Sequence, residues 1–274
     1  MKTLLSPRSD IVFKMLFGDL RGSDILRAFL EAVLPRPHDE YCEIVYLNPL
    51  LGNDYSDDKI GILDVKVKTA SGKIIDIEIQ ISNHSHLRER VVFYVSKLVT
   101  EQIGVGERYE TIKPTVCILI ADFVLIGENP AYHNQYRLRD FETRSEFTHL
   151  LEVHTLELPK LPKAGDGTSL GDWLGFLKAD REDEMDVLAE KNPDVKKAVA
   201  RLKEISADEQ ARMMYEARLK VARDRHAELR YATEKGREDA LRAVARNALE
   251  RDLSIGDVAA LTGLSEDEIR ALSH

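Results

Sequence analysis

The residues best suited to chemistry gather in one short stretch. Alternation along 62–69 and 73–81 puts Leu63, Val65, Val67, Ile75, Ile77, Ile79 and Ile81 on one face, and Asp64, Lys66, Lys68, Asp76, Glu78 and Gln80 on the other. Ala70-Ser71-Gly72 between them is a three-residue loop ending in glycine, suited to a type I turn followed by a left-handed residue. Such a loop pairs residues whose numbers sum to 142, which sets Asp64 opposite Glu78 with Gln80 two positions further on the same face. Directly opposed carboxylates lie about 5 Å apart at Cβ and repel by roughly 3 kcal/mol at an effective dielectric near 20. A divalent cation held by hard oxygen ligands would offset that cost. The alternative is an amphipathic hairpin with its charged face in solvent, Lys66 paired with Asp76.

The flanking chain must position this hairpin. Helical spacing opens at Asp10, with Phe13, Lys14 and Phe17, capped by Ser9 and stopped near Gly18. Ser23 is the expected cap of a second helix carrying Ile25, Leu26, Phe29, Leu30 and Val33 and ended by Pro35. Residues 44–47 read as a strand, and residues 87–103 as a helix through Val91, Val92, Val95, Leu98 and Val99. The apolar, β-branched run at 115–121 is typical of a central buried strand. Residues 150–158 read as another strand, closed by Pro159 and Pro162.

A Pro- and Gly-containing break at 160–167 suggests a boundary, beyond which the pattern is helical. The expected division is 1–160 for the main domain, 161–252 for a helical extension and 253–274 for a helix-turn-helix-like end. Pro193 suits the first turn of one helix, and a longer helix starts near Ala207. Tyr215, Leu219, Ala222, His226 and Leu229 recur along it at intervals of four and three, a stripe suited to packing on the core or on a second subunit. At the end of the chain Ser254 caps a helix with Val258, Ala259 and Leu261 as its apolar face. Thr262-Gly263-Leu264 turns the chain, and Ser265 with Glu268 forms a capping box. Glu266, Asp267 and Glu268 stand where a recognition helix would meet DNA phosphates, which favours packing or protein contact for this pair.

The chain has 274 residues, 43% hydrophobic and 32% charged, with a net charge of −9. The charge is uneven: residues 196–251 carry 15 Lys and Arg against 10 Asp and Glu, so a locally basic surface is compatible with an acidic whole. Two cysteines, Cys42 and Cys117, give no disulfide framework, and the N-terminal residues lack the apolar region of a signal peptide; both suit a cytoplasmic protein. No apolar run approaches the roughly 20 residues of a membrane span. His84 and His86 have no Cys or third His at ligand spacing, which argues against zinc. Neither a Gly-x-Ser-x-Gly elbow nor a phosphate-cradling glycine loop is present.

Taken in order, several fragments resemble the PD-(D/E)XK nuclease family transposases, also described as recombination-promoting nucleases. They are Asp10-x-x-Phe13-Lys14-x-x-Phe17-Gly18, Leu63-Asp64-Val65-Lys66, Gly72, Ile77-Glu78-Ile79-Gln80, Tyr94-x-Ser96-Lys97, Gly106-x-x-Tyr109 and the 253–265 segment. The resemblance implies an α/β, restriction-endonuclease-like mixed sheet flanked by helices, with a helical C-terminal extension. It also implies a Mg²⁺- or Mn²⁺-dependent DNA endonuclease linked to recombination or transposition. Asp64, Glu78 and the Ile79 carbonyl would hold the metal, Gln80 would stand where many superfamily members have lysine, and Asp10 would be a further acid. Lys66 or Lys97 would supply the missing positive charge, and Arg218, Arg223 and Arg230 would meet DNA phosphates. No proline precedes the aspartate, which follows Leu63 instead. The alternative is a nuclease-fold module that binds DNA or protein without cleaving. A homo-oligomer formed through the C-terminal helices, and no membrane contact, complete the expectation.

Overall fold

The computed structural model describes residues 4–34, 38–48, 64–83 and 85–272, so the expectations at Pro35, Ile62, Leu63 and His84 lie outside the described residues. The hairpin forms as its loop dictates. Strands β2 (Val65–Thr69) and β3 (Ile74–Gln80) pair antiparallel, Val65 with Ile77, Lys66 with Asp76, Val67 with Ile75 and Lys68 with Ile74. Gly72 takes φ 88°, which a side chain would make costly, and its N–H closes on the Thr69 carbonyl at 2.9 Å. The Glu40 carboxylate pins the turn by accepting from Thr69 Oγ1 (2.6 Å) and Ser71 Oγ (2.7 Å).

Around this hairpin lie β1 (Ile44–Tyr46), β4 (Thr115–Ala121), β5 (His133–Arg139) and β6 (Glu146–Glu157), in the sheet order β1-β2-β3-β4-β6-β5. The β3–β4 and β4–β6 pairs are parallel and the others antiparallel. Helix α3 (Leu87–Thr100) makes the crossover between β3 and β4. Parallel central strands need cover on both faces, and β4 is buried at every position. β5 has no signal in the sequence pattern, because His133–Arg139 is polar and largely exposed at the sheet edge and carries no apolar alternation. β6 begins earlier than its apolar run, at Glu146.

One face of the sheet packs on helices α1 (Asp10–Phe17) and α2 (Ser23–Val33). Phe13, Phe17, Phe29 and Trp173 interlock there, with successive ring centroids 4.6, 5.5 and 5.8 Å apart. On the other face Leu87, Val91 and Val95 of α3 cover Cys117 and Leu119. Helices α4 (Ser169–Lys178), α5 (Glu182–Lys191) and α6 (Pro193–Ala207) bury Trp173, Phe176, Val195, Leu202 and Ile205 in the same core as α1 and α2. The chain therefore divides into compact units 1–215 and 216–274, and the stretch at 160–167 is a connection inside the first unit rather than a boundary. Proline and glycine there mark a surface turn; the apolar faces that follow decide the packing. Two caps also differ from expectation. Ser9 sits at the N-cap of α1 without a side-chain bond, and Ser23 lies inside α2, while Asp19 caps the preceding turn through the N–H groups of Arg21 and Gly22.

Helix α7 (Glu209–Leu249) runs into the second unit, where Ala245, Val258 and Ile269 form a small core with α8 (Ile255–Thr262) and α9 (Glu266–Leu272). Ser254 Oγ accepts from the Asp257 N–H, and Ser265 and Glu268 make the reciprocal capping box. Leu261 is 67% exposed, whereas Thr262, four positions after Val258, takes the buried place expected for it. Among the described residues no helix is long and apolar enough to cross a membrane.

The shared aromatic core gives a first prediction. Phe17→Ala should cost about 3–5 kcal/mol in urea unfolding followed by far-UV circular dichroism. A cost below about 1 kcal/mol would mean that α1 does not pack against α2 and α4 as described.

Candidate functional site

β3 carries three polar side chains in a row of alternating positions, and the sheet hides two of them. Asp76 is fully buried and Glu78 is 5% exposed, because α3 lies over the face that alternation alone would leave in water. The solvated amphipathic hairpin is therefore not what forms. Lys66, opposite Asp76 in the ladder, turns instead to Glu101, with Nζ 3.1 Å from Oε2.

Asp64 stands just before β2, where the last pair of the β2–β3 ladder is Val65 with Ile77. Its carboxylate takes over beyond that point: Oδ2 accepts from the Ile79 N–H at 2.9 Å. Its own N–H donates to Glu78 Oε1 at 3.1 Å, so the two acids meet as the register requires. Gln80 Nε2 donates to Glu78 Oε2 at 3.4 Å. From α1, Lys14 places Nζ 3.2 Å from Asp64 Oδ1. Each of the four carboxylate oxygens thus faces a nitrogen donor.

The electrostatics follow from burial. Desolvation, opposed by the Ile79 N–H and by Lys14, raises Asp64 above the ordinary aspartate range, and Asp10 on α1 pushes it the same way. Asp76 is pushed up to about 8, chiefly by desolvation; the Cys117 thiol, donating to its Oδ2 at 3.6 Å, opposes this. Glu78 lies well above its usual value, first from burial and then from Asp76 and Asp64. Arg90 of α3 acts on Glu78 in the other direction, and its guanidinium lies 5.9 Å from the Tyr94 ring centroid. Tyr94 is in turn raised by burial and by these carboxylates, which places it beside the cluster.

The donor set fits a hard divalent cation. The Glu78 carboxylate is bonded to the backbone of Asp64, and the buried Oδ1 of Asp76 has no hydrogen-bond partner. Among the described residues no three His, Cys, Asp or Glu side chains stand together as a metal cluster. An ion here would complete its shell with backbone carbonyls, water and phosphate oxygens, the habit of Mg²⁺.

A family model for the PD-(D/E)XK nuclease family transposases matches residues 7–232. The chain belongs to that family. Its six-stranded mixed sheet flanked by helices is the PD-(D/E)XK nuclease fold. No curated protein and no solved structure matches the chain.

The remaining candidate residues are carried by other elements, α3 and α7. Lys97 Nζ sits 5.9 Å over the Phe93 ring. Arg218, Arg223 and Arg230 are exposed on α7; Arg223 and Arg230 are a heptad apart on one face, with Glu234 3.7 Å from Arg230. The sequence pattern does not mark Lys14, Arg90 and Tyr94 as neighbours of these carboxylates, although Lys14 and Tyr94 belong to the fragments that carry the family resemblance. Alternation assigns Asp76 to the surface because a period of two identifies faces and not what covers them.

A second polar network lies across β5 and β6. His133 Nε2 meets His154 Nδ1 at 2.8 Å, His154 Nε2 meets Glu152 Oε1 at 2.7 Å, and Arg137 Nη2 holds Glu152 Oε2 at 3.0 Å. Burial, then the neighbouring His154, pushes His133 down to about 4. Below pH 6.5 the unfolded chain accepts a proton at His133 that the folded chain refuses. Stability should therefore fall as pH drops from about 6.5 towards 4. His133→Gln should flatten that decline, read as urea midpoints at pH 7, 5.5 and 4.5. Equal slopes in the two proteins would show that His133 is not the group responsible.

Proposed function

We propose that the chain is a divalent-metal-dependent DNA endonuclease that hydrolyses phosphodiester bonds in recombination or transposition. The observation that carries the reading is the meeting of Asp64 and Glu78 across the β2–β3 hairpin in a chain of this nuclease family. Asp64, Glu78 and the Ile79 carbonyl would hold Mg²⁺ or Mn²⁺, and Asp10 would add negative charge from α1. The bound ion would supply Lewis-acid stabilisation and a more acidic water. Gln80 is uncharged, so its amide can orient a water by hydrogen bonding but cannot take the water's proton. Lys66 and Lys97 would flank the strand path of the substrate. The exposed arginines of α7 would contact DNA phosphates, and α8 with α9, whose acids Glu266 and Asp267 are paired to Arg270, would serve protein contact or self-association.

A second reading has its own observation. With Asp76 and Glu78 buried and raised in pKa, and with Gln80 replacing a lysine, the site suits a fold retained for binding DNA without cleaving it. Nicking of supercoiled plasmid by the purified chain separates the two. Cleavage should require Mg²⁺ or Mn²⁺ and fall to background in Asp64→Ala while circular dichroism stays unchanged, and Gln80→Ala should slow it without abolishing it. Glu78→Gln should cancel the rise in melting temperature that millimolar Mg²⁺ gives the wild type. Wild-type nicking by Asp64→Ala would remove this carboxylate from the chemistry.

DNA binding has a separate signature. Reversing the charge of Arg218, Arg223 and Arg230 should reduce the slope of log K against log salt by about 0.9 for each phosphate no longer neutralised. An unchanged slope would place the DNA path elsewhere.

A further inference from the structure

The uncharged Gln80 leaves a phosphodiesterase site short of a positive charge, and the two lysines that the family resemblance suggests for it have other partners. Lys66 is paired with Glu101, and Lys97 lies over Phe93. Among the described residues, the cation paired with Asp64 comes from a different element. Lys14 follows Asp10 by four positions on α1, so both project from one side of that helix towards Asp64. Lys14 is in contact with Oδ1, the Asp64 oxygen that the Ile79 N–H does not hold.

Mobility separates the partners. The Asp64 side chain is 9% exposed and fixed by backbone, whereas that of Lys14 is 36% exposed on a four-carbon stem with three donors on a rotatable head. A divalent ion bound by Asp64 would compete with Lys14 for Oδ1 and repel it, and the ammonium group can turn outward without disturbing the core. The apolar neighbours Phe13 and Phe17 hold α1 in place while it does so.

We propose that Lys14 is the substrate-contacting cation of this site, leaving Asp64 to a divalent ion and turning to a non-bridging oxygen of the scissile phosphate. The proposal rests on the endonuclease reading. In phosphoryl transfer the reacting phosphate carries charge on its equatorial oxygens, and removing one positioned donor from developing charge costs about 10²–10³-fold in rate. Lys14 would make the charge contact that Gln80 cannot make, from a helix rather than from the strand.

The test uses full-length wild type, Lys14→Gln and Lys14→Arg, each checked for folding by circular dichroism. Without DNA, calorimetric titration with Mn²⁺ should show Lys14→Gln binding a few-fold more tightly than wild type, since a competitor for Oδ1 is gone. With saturating plasmid, Lys14→Gln should nick about 100-fold more slowly at an unaltered KM, and Lys14→Arg should recover most of the rate. A purely structural ion pair would lower the melting temperature of Lys14→Gln and leave nicking intact; that result overturns the proposal. Weaker Mn²⁺ binding by Lys14→Gln overturns it as well. A wild type that binds Mn²⁺ yet never nicks refutes the endonuclease reading itself and the phosphate contact with it, a failure visible before any substitution is made.

Discussion

A strand bonded along both edges and covered on both faces leaves its polar side chains only its ends to reach. β3 is such a strand: it pairs with β2 and β4, packs Ile75, Ile77 and Ile79 against the α1–α2 core and lies under α3 on the other face. Burying Asp76 and Glu78 there is costly unless they are protonated, hydrogen-bonded or matched by a cation. Asp64, Lys14, Gln80 and Cys117 are arranged around that cost. A fold optimised for stability alone would put valine or isoleucine at these positions. Their presence at the middle of the sheet is what singles it out as the candidate site.

The same constraint explains how the site opens. At Val65–Ile77 the antiparallel ladder ends, and a side chain, Asp64, replaces backbone as the acceptor for Ile79. Asp64 and Glu78 therefore lie side by side where β2 stops covering β3, each bonded to the other strand's backbone, with Asp64 within reach of α1. Two helices converge on this point with opposite chemistry: α1 brings an acid and an amine, while α3 brings a guanidinium and a phenol. The elements that cover the sheet thus also furnish the groups around its acids.

The hairpin and its register are legible in the sequence because local rules settle them. A glycine-ended loop fixes the pairing, and alternation fixes the faces, so the approach of Asp64 to Glu78 follows from numbering. β4 is legible for a similar reason, as an unbroken β-branched run. What lies over the Asp76 face is not legible, because the cover comes from α3, and periodicity says only that α3 has an apolar side. Lys14 is hidden for the same reason: its importance depends on where α1 docks. β5 lacks an apolar signal since the sheet edge asks for none. The break at 160–167 misleads because turn residues look alike inside a domain and between domains, and only the burial of Trp173 and its neighbours distinguishes the two.

Trp173 has one more consequence. It is the single tryptophan of the chain, it is fully buried, and its ring lies edge-on to Phe29 and Phe176. Tryptophan emission of this protein, excited beyond the tyrosine band, is therefore a one-site optical gauge, seated where α4 meets the N-terminal helices. A blue-shifted emission reports that the segment after residue 168 is docked on the N-terminal helices. A red shift preceding loss of sheet signal would show α4 peeling away first, so the fluorophore can follow cooperativity between the two parts of the first unit without any label.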